Sequence, residues 1–259
     1  MSSTSLNESL QRRLFSAATS GNTKAISRIL AESPNIPVER PLMAAAGNGH
    51  AAAVRIFLSK PRSSSADGSA LSQATSEGHA ECVAALLEAM PKSASCVALC
   101  LVEAAKNGDA ACARLILAKN KNRAALADAL TWAVVSDHVG TVELLVDEGN
   151  ASVADGGAIE CAAAKGSVKS LRIMLPLWRR SAARSRWLQA AAYGGHTECL
   201  AILLDSFAPL SAARMRELAS FSRTGGHPQT TESIESRIEL LSLGKHVLEK
   251  TGSSSKPRL

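Results

Sequence analysis

Ala191-Ala192-Tyr193-Gly194-Gly195-His196-Thr197-Glu198 has a counterpart far upstream in Ala45-Ala46-Gly47-Asn48-Gly49-His50. The spacing between such stretches decides the fold. Gly21, Gly49, Gly78, Gly108, Gly166 and Gly195 each close the same local pattern, and Asp137 takes the equivalent place in one more copy. Successive separations are 28, 29, 30, 29, 29 and 29 residues. Four residues before the mark stands Ala17, Ala45, Ala74, Ala104, Ala133, Ala162 or Ala191, and seven before it Leu14, Leu42, Leu71, Leu101, Leu130, Ile159 or Leu188. Five residues after it stand Ile26, Val54, Val83, Ala113, Val142, Leu171 and Leu200. A chain rich in alanine could produce one such column by chance, but not several in register. A fixed period in this range is the signature of stacked supersecondary repeats.

Each column has a physical meaning. The positions seven and four before the mark share one face of a first helix, and the small side chain lets neighbouring helices approach closely. The glycine then ends that helix in the left-handed conformation that costs glycine least, and Asp137 tolerates it better than most residues would. Apolar positions five, eight and nine after the mark form the face of a second helix. Pro34, Pro61, Pro91 and Pro209 fall just beyond second helices, and Pro176 comes early enough to shorten one. A single helix pair cannot bury its own apolar face, so the pairs must stack. The expected fold is all-α, a solenoid of helix-turn-helix repeats with a C-terminal capping helix.

Composition agrees. In 259 residues, aromatics make up only 3%, too few for one large core but suited to thin Ala- and Leu-rich layers. No apolar run reaches the roughly 18–20 residues of a membrane span. Six scattered cysteines in a chain of this length point to a reduced, cytoplasmic setting and not to disulfide staples. A formal charge of +6 admits an acidic partner without requiring one.

The Ala45–His50 and Ala191–Glu198 stretches resemble the A-A-x-x-G-H-x-E core of ankyrin repeats. Arg40-Pro41-Leu42-Met43-Ala44-Ala45 is similar to the family's T-P-L-H-x-A opening. The resemblance covers roughly residues 10–210 as seven repeats. It departs from the family in period, about 29 against 33, which implies short loops and almost no strand. The position of the opening histidine holds Phe15, Met43, Ser72, Val102, Thr131, Glu160 and Gln189. The inter-repeat histidine ladder is therefore expected to be missing. Residues 1–9 read as a disordered start, 211–250 as a cap with a loop over 222–231 and a Thr231-capped helix from about 232, and 251–259 as a disordered tail. Gly244 is placed to end or bend that helix.

Chemistry-bearing motifs have ordinary explanations. His79-x-x-Cys82 and His196-x-x-Cys199 occupy repeat columns, and zinc needs four convergent ligands. Cys96 and Cys100 stand one helical turn apart without further ligands nearby. Gly47-x-Gly49 lacks the strand and third glycine of a nucleotide loop. No nucleophile, base and acid fall at catalytic spacing, so no enzyme, metal or cofactor is expected.

What remains is binding. Lys60, Arg62, Lys92, Lys119, Lys121, Arg123, Arg179, Arg180, Arg184 and Arg186 fall in inter-repeat loops, with Trp178 and Trp187 beside the densest part. Arg next to Trp is a common interface composition, although a solvated edge with both rings packed inward is the plainer alternative. The ankyrin resemblance implies that residues just before the glycine face a concave groove: Asn48, Glu77, Lys106, Asn107, Val135, Ser136, Lys165 and Tyr193. The expectation is a monomeric adaptor or inhibitor that binds another protein through this groove and the basic edge. Nucleic-acid or acidic-lipid binding by the basic residues, and delivery into a host cell as a bacterial effector, are the alternatives.

Overall fold

The computed structural model describes residues 3–91, 95–119, 122–149, 157–178, 184–207 and 209–252. All regular structure among them is helical. The chain divides into two compact units, Met1–Ser152 and Val153–Leu259.

The first unit holds five helix pairs: α1 (Ser3–Thr19) with α2 (Thr23–Glu32), α3 (Glu39–Gly47) with α4 (Ala51–Leu58), α5 (Ser64–Ser76) with α6 (Ala80–Ala89), α7 (Ser95–Asn107) with α8 (Ala110–Lys119), and α9 (Arg123–Val135) with α10 (Val139–Asp147). First helices pack on first helices and second on second along the unit. The second unit repeats the plan with α11 (Gly157–Lys165) and α12 (Val168–Met174), α13 (Arg184–Tyr193) and α14 (Thr197–Asp205), and α15 (Ala212–Thr224) and α16 (Pro228–Gly252). Pro176 ends α12 early, and a single 3-10 turn over Leu175–Leu177 follows.

The repeat columns are the core. Every residue seven before, four before and five after the mark is buried, from Leu14, Ala17 and Ile26 through to Leu188, Ala191 and Leu200. The turn between paired helices is the same throughout. The mark has φ between +67° and +79° where it is glycine, and +59° at Asp137. The amide of the next residue then donates to the carbonyl four before the mark: Asn22 to Ala17, His50 to Ala45, His79 to Ala74, Asp109 to Ala104, His138 to Ala133, Ser167 to Ala162 and His196 to Ala191, all at 2.8–2.9 Å. This bond satisfies a helix-end carbonyl that would otherwise lack a partner.

No histidine stands at the opening position to make a ladder, but histidines of another column make one. A ladder is present, built from the histidines after the glycines and not from the opening position. His50 Nε2 lies 2.9 Å from the Thr19 carbonyl, His79 Nε2 3.1 Å from Gly47, His138 Nε2 3.1 Å from Lys106, and His196 Nε2 2.8 Å from Ala164. A carbonyl only accepts, so each Nε2 carries the hydrogen. Each ring lies flat over the preceding repeat's glycine. A Cβ on Gly21, Gly108 or Gly166 would stand 2.5 Å from the Nδ1 of His50, His138 or His196. The glycine is therefore required twice, for its positive φ and for the space beneath the imidazole.

The ends also differ from expectation. The first helix begins at Ser3, within the segment expected to be disordered. Residues 222–231 are not a loop within a cap. Gly226 has φ +79°, His227 donates its amide to the Ser222 carbonyl at 3.0 Å, and the His227 ring lies over Gly195. This is one more helix pair, with Ser222 buried in the alanine column. Its second helix starts at Pro228, where a missing amide hydrogen costs nothing, and runs through Gly244 to Gly252. Thr231 does not cap it but donates from within the helix to Ser222 Oγ and the His227 carbonyl. The tail beyond 252 lies outside the described residues.

Gly226 shares the conformation of Gly166 but has no atom within 4 Å of a would-be Cβ. Gly226→Ala should therefore cost only the left-handed penalty, about 1 kcal/mol. Gly166→Ala should cost roughly 1–3 kcal/mol more, an excess that disappears in a His196→Ala background. Denaturant unfolding of the four variants measures this.

Candidate protein-binding surfaces

The turn residues proposed to face a partner are exposed: Asn48, Glu77, Lys106, Asn107, Lys165 and Tyr193. Two are partly committed to the backbone. Asn48 Nδ2 donates to the Ala44 carbonyl at 2.7 Å, and Asn107 Nδ2 donates to the Ser76 carbonyl of the preceding repeat at 3.3 Å. Tyr193 is 58% exposed, unusual for so large a ring. Val135 and Ser136 are half-buried.

In the first unit these turns border apolar surface that the motif comparison missed. Phe15 and Trp132 are 42% and 44% exposed. The Arg40 guanidinium lies 5.8 Å from the Phe15 ring centre, and Lys106 Nζ lies 5.9 Å from that of Trp132. Phe15, Arg40, Met43, Asn48 and Glu77 line one shallow hollow across α1, α3 and α5. The signal was available: Phe15 and Met43 occupy the column six before the glycine, whose residue type changes from copy to copy while the core columns do not. Trp132 stands one position later in its copy.

The basic edge is less uniform than its sequence suggested. Arg62 turns inward. Its guanidinium pairs with Asp67, both side chains only 12% exposed, and donates to the Leu58 and Lys60 carbonyls. Lys60 and Lys119 are half-buried and Arg123 is exposed. Lys92, Lys121, Arg179 and Arg180 lie outside the described residues. In the second unit Trp187 is fully buried. Half-buried Trp178 meets it edge-on at 4.3 Å between ring centres, with Phe207 closing the cluster at 6.1 and 6.3 Å. Arg184 stacks on Phe207 at 4.8 Å, and its burial pulls the guanidinium pKa down. Arg186 is exposed and reaches Glu160 at 3.7 Å. The two tryptophans thus serve the core of the second unit, and among the described residues of this segment Leu177 and Arg186 are exposed.

Charge is unevenly divided. The first unit has 14 basic and 14 acidic residues, whereas the second has 15 and 9 and so carries the whole net charge. Five carboxylates of the second unit are taken by arginines, in Arg172–Glu198, Arg186–Glu160, Arg214–Glu217, Arg223–Glu235 and Arg237–Asp205. Among the described residues Lys165 and Lys169 show no such pairing.

The His–Cys pairs have structural roles. His79 and His196 are held by the ladder, whereas Cys82 and Cys199 are buried and their thiols are pushed up to about 11 by desolvation. Cys100 is pushed up to about 11 for the same reason, and Cys112 is raised as well. Among the described residues no group of His, Cys, Asp and Glu converges as a metal site, and no helix is long and apolar enough to cross a membrane.

Stacked helix pairs with apolar interlayers, glycine-ended first helices and a variable turn column define a helical-repeat scaffold. The family model for ankyrin repeats in three copies matches residues 14–97. No curated protein matches. Among solved structures, the crystal structure of the human ASB11 ankyrin repeat domain is similar, with a TM-score of 0.58 and 26% sequence identity, covering 76% of this chain and 99% of that one. Residues 14–97 thus match ankyrin repeats, and the described residues have the fold of an ankyrin-repeat solenoid, with a sequence period of about 29.

The buried thiols make a pH-dependent contribution. A thiol whose folded pKa is raised keeps its proton longer in the native state, so its contribution is complete below about pH 9. It is lost as pH rises through the folded value near 11. Stability against urea should therefore fall from pH 9 to 11. At pH 8 a thiol reagent should reach only the half-buried Cys96 and Cys161 in the native protein, and all six cysteines after unfolding.

Proposed function

We propose that this protein is a protein-interaction adaptor or inhibitor and not an enzyme. A partner chain lies against the inner helices of each unit. In the first unit Phe15 with Arg40 and Trp132 with Lys106 act as anchors, flanked by Asn48, Glu77 and Asn107. In the second unit Lys165, Tyr193 and Arg186 make the contact. The observation that carries this is the pairing of half-exposed aromatics with cations on a rigid layer of stacked helices. Aromatic and arginine side chains on a preorganised surface bind with little ordering cost.

A second reading, binding of nucleic acid or acidic lipid, draws on the concentration of positive charge in the second unit. It predicts steep loss of binding with salt, whereas an interface anchored by aromatics keeps most of its affinity.

Capture from a proteome should compare wild type with a Phe15→Ala, Trp132→Ala, Tyr193→Ala variant, after circular dichroism has shown equal helicity. A discrete protein retained by wild type and reduced about tenfold or more in the variant is the expected result. Recovery of nucleic acid or lipid alone, released by moderate salt, would replace this proposal with the second reading.

A further inference from the structure

The face of the first helix pair turned away from α3 and α4 is not charge-balanced. Arg12, Arg13 and Ser16 of α1, Ser20 of the turn after it, and Lys24 and Arg28 of α2 line one open hollow there, and all six are exposed. The pair α1–α2 has four cations against two carboxylates, Glu8 and Glu32. Those two sit at the margins: Glu8 is 3.9 Å from Arg12, and Glu32 is 3.0 Å from Arg28. No ion pair involves Arg13 or Lys24 among the described residues.

A polar outer face is what the end of a repeat stack needs for solubility, but an excess of one sign is not. The last pair, α15–α16, shows the alternative. Over residues 212–240 it carries four arginines against four glutamates, and Arg214, Arg223 and Arg237 each hold a carboxylate. Four like charges gathered on two adjacent helices, with their counter-ions at the edge, repel one another unless an anion comes between them.

We propose that the outer face of α1–α2 docks an acidic segment of another protein, a short run of Asp and Glu, independently of the inner-helix surface. The face presents no exposed aromatic on which a base could stack and no apolar side chain that could enter a lipid layer. The unit that carries it is neutral in sum, so it lacks the far-reaching positive field that draws in a long nucleic acid. A local cluster of four cations instead matches a short stretch of carboxylates, which arginine engages through paired hydrogen bonds.

Fluorescence anisotropy of a labelled oligo-glutamate peptide with the full chain, at low and at physiological salt, tests this. Arg13→Glu with Lys24→Glu reverses two charges in the hollow. Arg55→Glu with Arg216→Glu reverses two exposed charges elsewhere and gives the same net charge. Both changes lie on the surface, and circular dichroism checks that folding is unaffected. The first variant should bind about tenfold more weakly than wild type, and the second within about twofold. Equal loss in both variants, or no binding of the peptide by wild type at low salt, would overturn the proposal. Tighter binding of duplex RNA or phosphatidylserine vesicles than of the peptide, lost in the first variant alone, would overturn the choice of partner.

Discussion

The imidazole lying over a left-handed glycine is the contact on which the stacking of repeats depends. It fixes three things at once. The ring fills the space that the absent Cβ leaves, the Nε2 hydrogen satisfies a helix-end carbonyl of the neighbouring repeat, and the two turns are thereby set in register. Gly21 with His50, Gly49 with His79, Gly108 with His138 and Gly166 with His196 share this arrangement, and His227 lies over Gly195 in the same way. Where the next copy has no histidine, the requirement relaxes. Asp109 stands above Gly78, and one period after Asp137, the single non-glycine mark, the sequence has Ser167. A side chain at the mark is tolerated in the copy whose successor brings no ring.

Between these contacts the layers are held by small-to-large packing. Alanine four before the mark leaves room for the leucine seven before the mark of the adjoining repeat, and both columns are buried in every copy. With few aromatics, each layer is thin, and the surface between turns is free to vary without disturbing it. That separation is the physical basis for a binding role. Turn residues such as Tyr193 and Glu77 can change chemistry from copy to copy, because the ladder and the alanine column, not the turn side chains, carry the stack.

Positive charge in this protein has several distinct uses. Arg62 is locked to Asp67 and two carbonyls inside the first unit, Arg184 covers an aromatic ring, and Arg214, Arg223 and Arg237 neutralise the last helix pair. Among the described residues only part of the basic content, including Lys165, Arg13 and Lys24, is presented to solvent without a carboxylate partner. The loop arginines and lysines are thus no single surface, although they look alike in one dimension.

The sequence by itself determined the helix-pair repeat, its period, its core columns and the left-handed mark, because a repeated local pattern needs no knowledge of neighbours to be read. It also located the turn positions that face solvent. Tertiary structure alone decided which histidine builds the ladder, since that bond joins residues some 31 or 32 positions apart and the familiar opening position pointed elsewhere. It decided that Ser222 and Gly226 form another turn of the same kind, because burial, not residue type, is what the alanine column requires. It also turned Trp178, Trp187 and Arg62 inward and left Phe15 and Trp132 half-open. Whether a large or charged side chain is core or surface depends on what the adjacent layer places against it, and that is fixed only when the layers meet.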